Sequence, residues 1–421
     1  MRDDLTDRLP EGQRVHDAWD TVLVPGALRT VHQPLVDLTS GRVVGLEALL
    51  RGPRGSAWEL PLPLLAAARA AGRAAELDLA AARSALGSAA ASGEPTTLFV
   101  NVEPSTLSDR PAELAGVLAA RAPHVQVVVE LTERALAADP AAVLAGAERL
   151  REVGCAIALD DVGVEPESLA FIPLLRPEVV KLDLGLLRTV EDPATITVAG
   201  AVRAYAEATG AEVVAEGVET EEDLSRALVV GATLGQGWHW GRPAEEPRPT
   251  RHEPERFGPR PVGEALCATP FDVVAGRLRV HRAPKRLLLP LSRTVELAAE
   301  QSRIPPLLAS AFQHHDRFTP HTARRYSALG SRLPFVAALG VAMPAAPAAG
   351  VRGWSLREDD PLASEWTVVM LGPHEGVALV ARDCGETGCA DGDRPFDFVV
   401  THDRDLVTAS AHALVGRLGG R

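Results

Sequence analysis

DPAAVLAGAERLREVGCAIALDD (139–161) reads as one complete helix followed by one complete strand. Asp139 is an N-cap and Pro140 suits the first helical position, where no amide hydrogen is needed. Gly154 can take the left-handed conformation that ends a helix. The run CAIALDD (155–161) is then short, apolar and closed by acid, and VQVVVE (125–130) before the helix has the same form. Both runs are apolar at successive positions. They therefore read as strands buried on both faces of a parallel sheet, joined by a right-handed crossover.

The same unit recurs on either side. The runs are VHQPLVDL (31–38), RVVGLEALL (42–50), TTLFVN (96–101), EVVKLD (178–183), AEVVAE (211–216) and ATLGQG (232–237). Amphipathic stretches lie between them at Leu64–Arg73, Leu77–Ala91 and Glu221–Val230, the last opened by a capping box of Thr220 and Asp223. Repeats of this length and number predict an α/β fold, a (β/α)8-type, TIM-like closed barrel. The first two runs are joined only by Thr39, Ser40, Gly41 and Arg42. A parallel crossover needs a longer connection, so the first strand is expected to run antiparallel to the second.

After the last run, Arg242–Pro261 holds six prolines among charges, which predicts an extended, non-helical linker. A smaller mixed α/β domain is expected beyond it. Its expected helices are Leu291–Gln301, Thr319–Gly330 and Leu406–Leu418, and its expected strands are Thr367–Leu371, Gly376–Val380 and Phe396–Thr401. The division read from the sequence is an N-terminal extension at 1–21, a barrel at 22–245, a Pro-rich linker at 246–262 and the second domain at 263–421.

Net charge is -13, which disfavours nucleic acid and anionic membrane surfaces as partners. Four scattered cysteines give no disulfide framework and suit a reducing compartment. Met1–Gly12 is acidic and polar, no secretory signal, and no apolar run has the length of a membrane span. The expectation is a cytoplasmic protein without membrane insertion.

The strand ends carry the chemistry. They are Glu47, Asn101, Glu130, Asp160 with Asp161, Lys181 with Asp183, Glu216 and Gln236. In a parallel barrel these ends meet on one face, where such folds hold their active sites. Carboxylates and an amide make a hard oxygen cage without Cys or His, which selects Mg2+ or Mn2+ over Zn2+. Asp160 and Asp161 would repel each other unless cations lie between them. Two ions bridged by a carboxylate suit in-line attack of water on a phosphodiester. Lys181 would stabilise transition-state oxygens or orient the water.

These residues sit in motifs that resemble the EAL cyclic di-GMP phosphodiesterase family. The carriers are QPLVDLTSGRVVGLEALLR (33–51), FVN (99–101), ELTE (130–133), ALDD (158–161), KLD (181–183), AEGVET (215–220) and GQGW (235–238). The resemblance implies cleavage of cyclic di-GMP to linear pGpG with two metal ions. It implies Glu47, Asn101, Glu130 and Asp160 around the first ion, and Asp160, Asp161 and Glu216 around the second. Lys181 would hold the attacking water, with Glu216 also implicated as general base. Gln236 would support the second ion, Glu219 would brace the ligands from behind, and Glu133 would gate the loop after Asp161. Gln33, Arg51 and Asp78 match positions that contact the dinucleotide. Family barrels pair through the face near that loop, which implies a homodimer.

That loop departs from the family. Where relatives read DFGTGYSSL, this chain reads DVGVEPESL (161–169), losing a Thr hydroxyl, a Gly and the Tyr. Two readings follow: a loop rewired by other hydrogen bonds, or a barrel that binds cyclic di-GMP as a receptor without hydrolysing it. A third, unrelated reading is a metal-dependent barrel lyase. The second domain resembles the sensory DICT domain through FQHHDRFTPHTARRYSALG (312–330), VRGWSLREDDPLASEWTVVMLGPHEGVALVARD (351–383) and RPFDFVVTHDRDLV (394–407). That implies a regulatory input from an unknown ligand or protein. His314, His315 and His321 fit no standard metal spacing and read as surface or packing residues.

Overall fold

The computed structural model describes residues 19, 21–132, 139–163, 166–189, 191–246, 249–260, 269–386 and 388–419. Eight strands close a barrel in chain order: β1 (Arg29–Asp37), β2 (Val43–Arg51), β3 (Thr96–Asn101), β4 (Val125–Thr132), β5 (Ala156–Val162), β6 (Val179–Leu182), β7 (Glu212–Ala215) and β8 (Leu234–Gly235). β1 runs antiparallel to both β2 and β8, as the short first connection requires, and the other neighbours are parallel. Around them lie α1 (Pro61–Ala70), α2 (Ala74–Ser92), α3 (Pro104–Asp109), α4 (Pro111–Ala119), α5 (Pro140–Glu152), α6 (Ile172–Leu175), α7 (Leu184–Arg188), α8 (Pro193–Thr209) and α9 (Glu221–Val230). Asp139 caps α5 by accepting the Ala142 amide, and Thr220 with Asp223 forms the expected capping box.

Side chains alternate across a strand, so every second residue faces the barrel axis. The lower interior layer is apolar: Leu35, Val44, Phe99, Val128, Ala158, Val179, Val214 and Leu234 pack together. Two residues further along six of those strands stand Asn101, Glu130, Asp160, Lys181, Glu216 and Gln236. The period that fills the core thus stacks a polar layer on it. Gly45 makes room for this core, because a Cβ there would come within 2.9 Å of the Phe99 ring.

Among its described residues the Pro-rich stretch holds no helix, turns at 254–257, and is packed against the barrel. Phe257 is fully buried in the interior layer, edge-on to Phe99 with ring centroids 5.6 Å apart. Gln126 donates to the carbonyls of Pro254 and Phe257. Arg256 pairs with Asp37 at 2.8 Å and Glu212 at 2.7 Å. The stretch closes the barrel at the end opposite the polar layer.

The second sheet has seven strands in the order β12-β11-β10-β13-β14-β15-β9. They are β9 (His281–Pro284), β10 (Leu307–His314), β11 (Phe335–Val341), β12 (Arg352–Leu356), β13 (Glu365–Leu371), β14 (Gly376–Asp383) and β15 (Pro395–Thr401), with α10 (Pro270–Ala275), α11 (Lys285–Gln301), α12 (Pro320–Gly330) and α13 (Arg404–Val415). β9 to β12 are absent from the sequence reading. β10 and β11 are apolar on both faces and lack the alternation that marks a strand. α11 begins well before the expected Leu291, since Pro290 reads as a breaker yet sits inside the helix. The carbonyl left without its amide partner belongs to exposed Arg286, where water can satisfy it.

β10 splits two cores. Leu307, Ala309 and Ala311 join the core shared with the barrel, whereas Leu308 and Phe312 join the core under α11 and α12. The shared core runs through Phe171, Leu174 and Leu175 of the segment after β5. Phe171 meets Phe335 edge-to-face at 5.7 Å. Among the described residues no helix is long and apolar enough to cross a membrane.

Candidate active site

Lys181 is the hub of the polar layer. Its Nζ lies 2.7 Å from Glu130 Oε1, 2.7 Å from Glu216 Oε1, 3.2 Å from Asp160 Oδ1 and 3.7 Å from Glu47 Oε2. Four strands deliver those carboxylates, and β6 delivers the ammonium. Glu47 accepts from Asn101 Nδ2 at 2.8 Å and from Gln236 Nε2 at 2.5 Å. Gln33 faces Glu47 across the β1–β2 ladder, and its Oε1 is 3.4 Å from Gln236 Nε2.

Asp160 and Asp161 reach the same end by a break in regular structure. Adjacent strand residues normally face opposite ways. Here Asp161 has φ 59°, and the pairing of β5 with β6 shifts between Leu159 and Val162. The result brings carboxylate oxygens of Asp160, Asp161 and Glu216 within 4.8 Å of one another. A left-handed non-glycine residue is uncommon, and such conformations cluster where function demands a particular side-chain direction.

Burial pushes the Glu130 carboxyl well up, reinforced by Glu47 and opposed by Lys181. Burial also raises Glu216 against the pull of Lys181. Glu47 goes the other way: burial raises it, but Lys181 and the amides of Gln236 and Asn101 prevail and hold it low. Burial would lower Lys181, yet Asp160, Glu130, Glu216 and Glu47 drive it well up, so it stays charged.

The group fits a hard divalent cation. Both Glu130 oxygens, Asp160 Oδ1, Gln236 Oε1 and Lys181 Nζ are buried without an aligned hydrogen bond. The close contacts to Lys181 are therefore ionic proximities, and buried oxygen lone pairs remain for another partner. Oxygen-only donors suit Mg2+ or Mn2+.

Other residues read from the sequence lie further out. Arg51 is half-buried near Arg29 and donates to the Leu50 carbonyl at 2.7 Å. Asp78 is buried: its Oδ2 accepts from the Glu103 amide at 2.7 Å and the Thr106 hydroxyl at 2.6 Å. In that place it holds the turn after β3, and burial raises its pKa to about 7. Glu219 is exposed, and its amide donates to Asp223 rather than its side chain joining the hub. Asp183 caps α7 through the Gly185 amide. Glu133 and Val164 lie outside the described residues. Trp238, missed by the sequence reading, stands 52% exposed just past Gln236, with the Arg242 guanidinium 4.0 Å over its ring. Its signal was present as an aromatic in GQGW, but exposure is a tertiary property.

A family model described as EAL domain matches residues 17–243, and one described as sensory domain in diguanylate cyclases and two-component system matches residues 273–383. The cyclic di-GMP phosphodiesterase RocR of Pseudomonas aeruginosa is 35% identical over 158 residues, covering 37% of this chain and 40% of the relative. The probable cyclic di-GMP phosphodiesterase PdeB of Escherichia coli is 29% identical over 224 residues, covering 50% of this chain and 42% of the relative. The chain thus spans less than half the length of either relative. Among solved structures, a manganese/cy-diGMP complex of Klebsiella pneumoniae BlrP1 aligns with TM-score 0.47 and 28% identity, covering 52% of this chain and 57% of that chain.

Proposed function

We propose, for a chain that belongs to the EAL-domain family, that the barrel hydrolyses cyclic di-GMP to linear pGpG under control of the second domain. The observation that carries this reading is the convergence of Glu47, Glu130, Asp160 and Glu216 on Lys181 at one barrel mouth, with Asp161 beside them. Five carboxylates against one ammonium leave an excess of four negative charges when all are ionised. Two divalent cations would balance it.

In this reading Glu47, Asn101, Glu130 and Asp160 hold one Mg2+ or Mn2+, and Asp160, Asp161 and Glu216 hold the other, supported by Gln236. When bound, such ions polarise a phosphodiester and make a bound water acidic. Lys181, kept charged by its neighbours, offers a fixed cation to the attacking water or the phosphate oxygens. The family resemblance also makes Glu216 the candidate to take a proton from that water. Gln33 and Arg51 line the side of the mouth formed by β1 and β2, where Arg51 can bind phosphate or a guanine edge.

The altered loop favours a second reading, a cyclic di-GMP receptor with little turnover. Val164 replaces the family's Thr hydroxyl, and Pro166 stiffens the segment. Turnover of cyclic di-GMP in Mg2+ and in Mn2+, with product separated by chromatography, tests both. Metal-dependent pGpG formation, lost in Glu47→Ala and Asp160→Ala, is the expected result. Tight binding of intact dinucleotide without product would make the barrel a receptor. Full activity in either variant would sink the metal assignment.

A further inference from the structure

The second domain has a cavity of its own, far from the carboxylate hub in sequence and walled by α11, the end of β10 and the start of α12. Its volume is about 250 Å3. The floor is aromatic: Phe312, Trp366 and Phe396 are each at least nine-tenths buried, and Trp366 meets Phe396 edge-on at 5.9 Å. The rim is cationic. Lys285, Arg293, Arg317 and Arg325 line it, against the two carboxylates of Glu296 and Asp391.

Those charges are unevenly matched. Glu296 is taken by Arg325 in a two-pronged pair, at 2.8 and 3.2 Å. Asp391 serves both Lys285 and Arg317, and shares Arg394 with Asp383. Arg293 has no ion-pair partner among the described residues. The first turn of α12 also faces the cavity through Thr319, His321 and Thr322, adding the positive end of a helix. In a protein of net charge -13, an excess of cations around an aromatic floor is a local choice, not a reflection of composition.

The backbone is bent to make this wall. Gln313 has φ 63°, and the pairing of β10 with β11 shifts between Ala311 and His314. Gln313 then lies in the cavity wall, with its amide donating to the Ser364 carbonyl at 3.2 Å. A bulge with a left-handed non-glycine residue is costly and recurs beside binding sites, where it re-aims a side chain.

We propose that this cavity is the ligand site of the second domain and that it takes a small planar aromatic ring bearing an anionic group. Buried aromatic walls accept the ring by edge and face contacts. The rim cations accept a carboxylate or phosphate through charge-assisted hydrogen bonds, with Arg293 and Arg317 best placed by their exposure. The size limits the ligand to about that of a nucleoside monophosphate or less. This site deepens the reading of a regulated barrel but is tested by binding alone, so it stands or falls separately from turnover.

The test is calorimetric titration of the full chain in EDTA with four probes: indole-3-carboxylate, adenosine 5′-monophosphate, neutral indole-3-carboxamide and inorganic phosphate. One ring anion should bind with a dissociation constant below about 100 µM, at least about tenfold tighter than the carboxamide or phosphate. Which ring anion binds distinguishes an aromatic acid from a nucleotide. Arg293→Ala should weaken that binding at least about tenfold without changing the melting temperature, since its side chain is exposed and unpaired. Leu289→Glu, which places a negative charge at the rim, should do the same. Failure of both ring anions to bind with a dissociation constant below about 100 µM would overturn the proposal, as would binding that neither variant weakens.

Discussion

Lys181 Nζ and Glu130 Oε1 lie 2.7 Å apart with both side chains at 1% exposure or less. A buried ammonium is tolerable only because carboxylates surround it, and they in turn depend on it. Lys181→Met would leave the carboxylates facing each other without a cation. In metal-free protein this should cost about 3–5 kcal/mol of stability. Turnover in Mg2+ should fall at least about 100-fold. Mg2+ should raise the melting temperature of the variant more than that of the parent. Equal metal stabilisation of the two proteins would show that ions do not enter the Lys181 cluster.

Phe257 closes the floor beneath this cluster from outside the strand–helix repeat. Phe257→Ala should destabilise the barrel by about 3–5 kcal/mol, the usual cost of emptying a buried aromatic site. A chain cut after residue 245 should lose at least as much, because it also loses the Arg256 pairs to Asp37 and Glu212. Denaturant melts of both would check this, and an unchanged midpoint would mean the floor is closed by other side chains.

Phe171 and Phe335 join the segment after the Asp160–Asp161 pair to the first residue of β11. In the proposed regulation, this contact is one path from the second domain to the segment that follows Asp161. Phe335→Leu keeps the volume roughly filled and should cost about 1.5 kcal/mol or less. It should nonetheless lower kcat several-fold, by loosening the segment that follows Asp161, while affinity for the dinucleotide changes little. A kcat equal to that of the parent at a temperature where the variant is folded would break the link.

His412 is buried in α13 with neither ring nitrogen hydrogen-bonded. Burial, with help from Arg151 and Arg176, lowers its pKa from 6.5 to about 4. Between those values the unfolded chain holds a proton that the folded chain refuses. Stability therefore falls as pH drops through this window, by up to about 3 kcal/mol, and the loss is complete below about pH 4. His412→Leu should flatten that part of the stability profile in denaturant melts between pH 4 and 7. A slope identical to the parent's would assign the acid sensitivity to other groups.

The barrel was legible because its signals are local. Gly154, Pro140 and the apolar runs mark each element by backbone chemistry alone, and the four-residue connection from Thr39 to Arg42 fixed the direction of β1. β10 and β11 escaped because strands apolar on both faces carry no alternation, and only their pairing with β13 and β12 distinguishes them from buried helix. Asp78 was read by motif as a dinucleotide contact; its burial and its bonds from the Glu103 amide and the Thr106 hydroxyl were not legible, because packing sets them.

The sequence by itself determined which chemical groups stand at the strand ends and that a parallel barrel would gather them, because period-two alternation and strand length are encoded residue by residue. Tertiary structure alone decided three things. It placed Lys181 at the centre of the carboxylates, closed the floor with Phe257, and turned Asp161 toward Asp160 through a left-handed backbone. Each depends on distances between residues remote in the chain, or on a conformation that local preference opposes and only the surrounding packing can hold.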